Sequence, residues 1–319
     1  MREFPFELAL CAHLEATGDQ LVARQIGGSV RAPSNRVLDV LTVSPGPEIE
    51  ARTALTSETI PAAAIENDVG VGRARDPVKA FDCSPQHARR VTERAEEIGF
   101  FERADGGVRQ VARYPENWFG TIRAIENKPD LDVPGDLQTQ LRKDVSLGLV
   151  DEVVLATESY VTGAHLNRIP EEVGVWRFYP ESGEREVIRG PEPLPIREAG
   201  IELLDSHTGR TDVSVVSAEE KARKRRRIAE RAYGKGWRTY DFPGCEEATA
   251  VAREGSDGLP YCAWKDRLVN PANCGTDCPG HDPADPLEFD KEAARDGRTP
   301  WVADPDGKAR RQSGLDKFW

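Results

Sequence analysis

The chain has little lysine. Only 10 of its 43 basic residues are Lys and 33 are Arg; there is one Met, and aromatics make up 7%. No run of about 18 apolar residues occurs, which excludes a membrane-spanning helix. The N-terminal stretch, with Arg2 and Glu3 ahead of a mixed amphipathic segment, lacks the apolar region and cleavage site of a secretory signal. These absences point to the cytoplasm, where the six Cys stay reduced or ligate metal. Acid is plentiful: 55 Asp and Glu against 43 Lys and Arg leave a net charge of -12 over 319 residues, a length that suggests two or three domains.

An acidic, Lys-poor chain resembles in composition the proteins of salt-loving archaea, whose surface carboxylates keep them hydrated. Over such a background, local basic patches can still serve nucleic acid.

Spacing predicts a helix over Phe4–Ala16, with Glu7, Leu10, Cys11 and Leu14 at i, i+3, i+4 and i+7. A carboxylate within that stripe is costly unless paired or bound to metal. Arg36–Val43 reads as a strand carrying Asp39, and Thr121–Lys128 as another, with Glu126 and Lys128 on one face near its end. A helix over Gly135–Val150 and a strand over Asp151–Thr157 then imply a parallel crossover. A helix over Tyr160–Arg168 and a hairpin turning at Ser182-Gly183 complete an α/β layer.

An acid on the first helix, an Asp on one strand and Glu-x-Lys on the next resemble the PD-(D/E)xK nuclease superfamily. The opening helix is similar to that of archaeal Holliday-junction resolvases, with Phe6-Glu7, Leu10, Leu14-Glu15 and Gly18 at matching spacing. The resemblance implies a restriction-endonuclease-like mixed sheet. It implies that Asp39 and Glu126 bind Mg²⁺ or Mn²⁺, that Lys128 orients or polarises the attacking water, and that Glu7 supports the metal or its water. Hard cations prefer such carboxylate oxygens. The alternative is an α/β domain whose acids are satisfied by arginines such as Arg36 and Arg123. The gap from Asp39 to Glu126 exceeds the superfamily's usual hairpin and requires an insert. The whole chain also resembles a group of haloarchaeal proteins, a resemblance that implies no activity.

Within the insert, Ser84-Pro85 is a helix start, and the helix reaching Ile98 precedes a hairpin over Phe100–Arg103 and Val108–Tyr114. Helix plus hairpin resembles a winged-helix unit, for which His87, Arg89, Arg90 and Arg94 are the DNA-facing candidates; a purely structural helix-hairpin is the alternative. The run Lys221–Arg231 supplies a second basic set, Lys221, Arg223, Lys224, Arg225, Arg226 and Arg227, read either as phosphate contacts or as a solvated, Glu-paired helix.

Cys245, Cys262, Cys274 and Cys278, followed by His281, sit among Gly, Pro and Asp with little to build a core. They suit a structural Zn²⁺; some PD-(D/E)xK nucleases hold an iron–sulfur cluster instead, and unligated thiols are the third reading.

The chain ends in Gln312, Leu315, Phe318 and Trp319, spaced Q-x-x-L-x-x-F-W after a Pro/Asp/Gly/Arg-rich stretch that reads as a tether. That spacing resembles the PCNA-interacting peptide that docks proteins on the sliding clamp; a tail packed on the body is the alternative.

The expected organisation is a discontinuous α/β core over 1–45 and 116–215, a winged-helix-like insert over 46–115, a basic helix and Cys-rich metal module over 216–282, and a tail over 283–319. The expected function is a divalent-metal-dependent DNA nuclease of repair or recombination, clamp-tethered and nucleoid-associated. The alternatives are a non-catalytic clamp-bound DNA-binding factor and a winged-helix regulator.

Overall fold

The computed structural model describes residues 3–298, apart from 105 and 134. Its first element, α1 (Glu3–Thr17), is buried from Phe6 through Glu15. The sequence marks one apolar stripe, but the helix is enclosed on nearly every side, as expected where sheet lies both beneath and above it. Glu15 tolerates this burial because the Arg238 guanidinium donates to both its oxygens, at 2.9 and 2.7 Å, and the Trp237 indole donates at 2.9 Å. The chain continues as an antiparallel pair, β1 (Leu21–Gly27) and β2 (Val37–Pro45).

The insert follows: α2 (Ile49–Thr53), α3 (Ala62–Ile65), α4 (Pro77–Ala80), α5 (Pro85–Glu97), then the hairpin of β3 (Phe101–Ala104) and β4 (Gly107–Gln110). The Ser84 hydroxyl accepts the His87 N–H and Pro85 opens α5, the cap that the sequence predicts.

Next come β5 (Phe119–Asn127), α6 (Leu137–Leu147), β6 (Glu152–Thr157), α7 (Gly163–Leu166), β7 (Gly174–Tyr179) and β8 (Glu184–Arg189). They complete a six-stranded mixed sheet in the order β1-β2-β5-β6-β7-β8. β2 pairs with β5 antiparallel, β5 with β6 and β6 with β7 parallel, and β7 with β8 antiparallel. The β7–β8 turn places Gly183 at φ +71°, where a side chain would be strained.

A separate ribbon, β9 (Gly200–His207) and β10 (Arg210–Val216), leads into α8 (Ala218–Lys235), whose start is fixed by a reciprocal Ser217–Glu220 cap. The last third holds a three-stranded sheet, β11 (Ala248–Arg253), β12 (Ser256–Cys262) and β13 (Arg267–Leu268), a 3₁₀ turn at Pro271–Asn273, and α9 (Lys291–Asp296).

Two cores flank the main sheet. One joins Leu41 and Ala124 to Val91, Phe100, Ile228 and Tyr233, so the insert and α8 share it with the sheet. The other joins Val40 and Ile125 to α1 and to Leu259 and Leu268 of the small sheet. The insert is anchored by Arg52, which is 0% exposed. Its guanidinium donates to both Glu230 oxygens, at 2.6 and 2.7 Å, and Tyr114 donates to the same carboxylate at 2.8 Å. Among the described residues no helix is long and apolar enough to cross a membrane.

Candidate active site

β2 and β5 run antiparallel with Val40 opposite Ile125 and Leu41 opposite Ala124. One further step in this register sets Asp39 opposite Glu126, and residues directly opposite in an antiparallel pair share a face. The two carboxylates therefore stand side by side near the end of the sheet. The Asn127 backbone N–H donates to Asp39 Oδ2 at 3.1 Å, and the Asn127 amide donates to Glu7 Oε2 at 3.0 Å. Asn127 thus ties the acid of α1 to the acid of β2. Its Oδ1 is buried without a hydrogen-bond partner among the described residues.

Glu7 is 4% exposed, and Arg24 Nε neutralises it at 2.5 Å. Glu126, also 4% exposed, accepts from Arg36 Nη2 at 2.6 Å. The same guanidinium grips Asp144 of α6 with two bonds, at 2.9 and 2.7 Å. Arg36 is itself held in place. Its N–H donates to Ser29 Oγ at 2.8 Å, and the loop ahead of it is clasped by Glu202 of β9, which accepts the N–H groups of Val30, Arg31 and Ala32.

Charge around Arg36 does not balance. Asp39, Glu126 and Asp144 bring three carboxylates against the single Arg36 guanidinium, leaving two uncompensated negative charges when all are ionised. Burial pushes Glu126 up to about 8 against the pull of Arg36, with Asp39 adding to the rise. Burial likewise pushes Asp39 up to about 6; the Asn127 hydrogen bond and Arg36 oppose this, while Glu7 and Glu3 reinforce it. A desolvated carboxylate pair of this kind calls for a proton or a cation. Lys128 sits just beyond β5, where its ammonium pairs with Glu3 at 2.5 Å.

Of the sequence-derived catalytic set, Asp39 and Glu126 share one face, Glu7 is linked to Asp39 through Asn127, and Lys128 is directed to Glu3. Asp144 and Asn127 were not singled out. Asp144 lies at i+3 from Leu141 and i+7 from Leu137 on the inward side of α6, and this spacing is the signal that marks it. Among the described residues no group of three or more His, Cys, Asp or Glu is arranged to hold a metal ion. Mg²⁺ does not require such a group, because it commonly takes one or two carboxylates and fills its shell with water and substrate phosphate.

The basic helix requires correction. Lys221 is 0% exposed and its ammonium donates to the Pro195 carbonyl at 2.8 Å. Arg225 is buried against the Leu149 carbonyl and Asp151, at 2.9 and 2.7 Å. These two cations serve the fold, because α8 packs that side onto the core, and they are not placed to meet phosphate. Arg226 and Arg227 pair with Glu66, Lys224 is half-buried, and Arg223 is exposed. On α5, His87, Arg89 and Arg90 are exposed, while Arg94 pairs with Glu58 and Glu97 at 2.7 and 2.8 Å.

Cys245, Cys262, Cys274 and Cys278 are free thiols around the small sheet. Burial raises the Cys274 thiol, and Cys262, Cys245 and Cys278 push it the same way while Lys265 opposes them. A backbone turn places the His281 N–H on the Cys278 carbonyl at 2.9 Å. Cys11 is buried in α1 and Cys83 is half-buried. Gln312, Leu315, Phe318 and Trp319 lie outside the described residues.

Residues 21–283 match the Family of unknown function (DUF5787), and the chain belongs to that family. No curated protein and no solved structure matches it.

Proposed function

We propose that this member of the family is a divalent-metal-dependent DNA nuclease, tethered to the sliding clamp and acting in repair or recombination. The carrying observation is the pair of half-buried Asp39 and buried Glu126, with two negative charges left over when they and Asp144 are all ionised, standing at the strand ends of a helix–three-strand–helix–strand unit. The element order α1-β1-β2-β5-α6-β6, once the insert is set aside, and the mixed sheet it builds support the restriction-endonuclease-like reading.

The residues fit Mg²⁺ or Mn²⁺: two hard oxygen donors, partly desolvated, with an excess charge equal to that of the ion. The ion would activate water and stabilise the leaving oxygen in phosphodiester cleavage. Arg36 fixes the Glu126 rotamer and lowers the repulsion between the acids. Asn127 holds Asp39 through its backbone N–H and Glu7 through its side-chain amide, so one residue links the strand acid to the helix acid. The Lys128 ammonium, exchanging Glu3 for a scissile phosphate, would add compact positive charge where negative charge develops. Glu126→Gln should abolish Mg²⁺-dependent cleavage of branched and linear DNA while leaving binding intact. Wild-type protein that cuts no DNA with either ion would sink the catalytic reading.

One observation favours the non-catalytic alternative of a clamp-bound DNA-binding factor: the Arg36 guanidinium already satisfies one oxygen of Glu126. The helix-hairpin of α5, β3 and β4, with His87, Arg89 and Arg90 exposed, supports a winged-helix-like DNA contact in either case, joined by Arg223 of α8. The four thiols support a structural Zn²⁺, with an iron–sulfur cluster as its competitor. Elemental analysis showing neither metal in folded protein would remove both.

A further inference from the structure

Among the described residues, four that are not glycine have positive φ: Gln25, Ser34, Glu254 and Asp266. The last three lie in links between strands. Gln25, at φ +54°, lies inside β1. A glutamine enters this left-handed region at a steric cost that glycine avoids.

The contacts around it show what the kink achieves. In an ordinary strand successive side chains point to opposite faces, yet Arg24 and Gln25 both donate to Glu7 Oε1, at 2.5 and 3.4 Å. Consecutive carbonyls of an ordinary strand also point to opposite sides, yet Lys235 Nζ donates to those of both Arg24 and Gln25, at 2.9 and 2.7 Å. A half-buried lysine thus holds the kink in place.

The kink lies beside the candidate acids. β1 pairs with β2 through Arg24–Val40 and Ile26–Leu38, which sets Gln25 level with Asp39, and the β2–β5 register sets Asp39 level with Glu126. β1 is an edge strand of the sheet, and Gln25 is exposed there. Its amide makes one hydrogen bond, the long one to Glu7, so one N–H is left to donate elsewhere. Arg24 and Lys235 offset Glu7 and Asp39 around it. The amide is therefore a neutral donor where the acids alone would repel a phosphate.

We propose that Gln25 contacts substrate, its side-chain amide donating to a phosphate oxygen of the strand being cut, and that the kink is the device that turns it there. The inference rests on the nuclease reading for the identity of the substrate. Strain held where glycine would fit freely marks a position kept for function rather than stability. A neutral donor suits the place, because a further cation would compete with the metal for Glu7 and Asp39.

The test uses the full chain. Gln25→Gly keeps the kink and removes the amide, so it should melt at or above the wild-type temperature. In EDTA at low salt it should bind labelled branched and linear DNA about tenfold or more weakly, the loss expected for a hydrogen bond to a charged group. Gln25→Glu, of equal length, should bind more weakly still, because its carboxylate meets both Glu7 and the phosphate. A Gly variant that melts below wild type assigns Gln25 to the fold and overturns the contact. One that melts and binds DNA like wild type overturns it equally. Cleavage by wild type with Mg²⁺, measured in parallel, separates the two readings. Cleavage with DNA binding indifferent to Gln25 removes the contact alone, and Gln25-dependent binding without cleavage removes the nuclease alone.

Discussion

Arg36 lies 2.6 Å from Glu126 and gives it one hydrogen bond, while spending two on Asp144. Glu126 is therefore the less satisfied of the two acids it touches, and it stands opposite Asp39, which Arg36 does not bond. The carboxylates that resemblance assigns to metal are the ones the fold leaves short of positive charge.

The pH dependence of the metal-free protein follows from that shortage. Asp39 and Glu126 are held at about 6 and about 8 in the folded state, above the unfolded carboxylate range near about 4. A raised folded pKa contributes stability that is full below the unfolded value and is lost as pH climbs through the folded one. Thermal unfolding in EDTA should show stability falling between about pH 5 and pH 8. Mg²⁺ should raise the melting temperature more at pH 8 than at pH 5. An equal Mg²⁺ effect at both pH values would falsify the assignment.

Replacing Arg36 with Met should destabilise the metal-free protein by about 3–5 kcal/mol, because Glu126 and Asp144 remain buried without a partner. Denaturant unfolding measures this directly. Mg²⁺ should recover more stability in the variant than in wild type, since the site then carries three uncompensated charges. A variant as stable as wild type in EDTA would mean that the acids relax to solvent.

The two faces of α8 should separate in experiment. Arg225→Ala, which strips partners from the Leu149 carbonyl and Asp151, should cost about 1–3 kcal/mol. Arg223→Ala should alter stability by less than about 0.5 kcal/mol. It should nonetheless weaken DNA binding and reduce the salt slope by about one. Equal effects of both variants on DNA at constant fold would restore a phosphate role to the inward face.

At the end of the chain, a synthetic peptide covering Gln312–Trp319 and a few preceding residues should bind the sliding clamp by itself. Phe318→Ala with Trp319→Ala should abolish that binding and leave cleavage of naked DNA unchanged at low salt. The clamp should stimulate wild type most at high salt, where phosphate contacts fade and docking keeps local concentration near the millimolar range. Calorimetry without peptide–clamp heat at sub-millimolar concentration removes the tether.

Much of the sheet was legible because its strands and crossover helix carry strong periodicity: Asp39 on β2, Glu126 on β5, the parallel step through α6 and the turn at Gly183 all follow from local pattern. β1 was not singled out, since Arg24 and Gln25 interrupt its apolar run; Gln25 is exposed, and Arg24 is buried against its partner Glu7. Lys221 and Arg225 read as surface charge because their acceptors, the carbonyls of Pro195 and Leu149, are supplied by distant segments. The cation balance of the site was equally hidden, for Arg36 reaches Asp144 only after β2 and α6 have packed.

The Arg52–Glu230 pair bears on the order in which the chain can mature. Arg52 is made early and its only carboxylate partner among the described residues late, and a buried guanidinium without that partner is strongly disfavoured. During synthesis the insert must therefore wait, with Tyr114 also lacking its acceptor, until α8 has left the ribosome. A nascent chain halted before Glu230 would hold both acids of the candidate site without the support on which the insert closes.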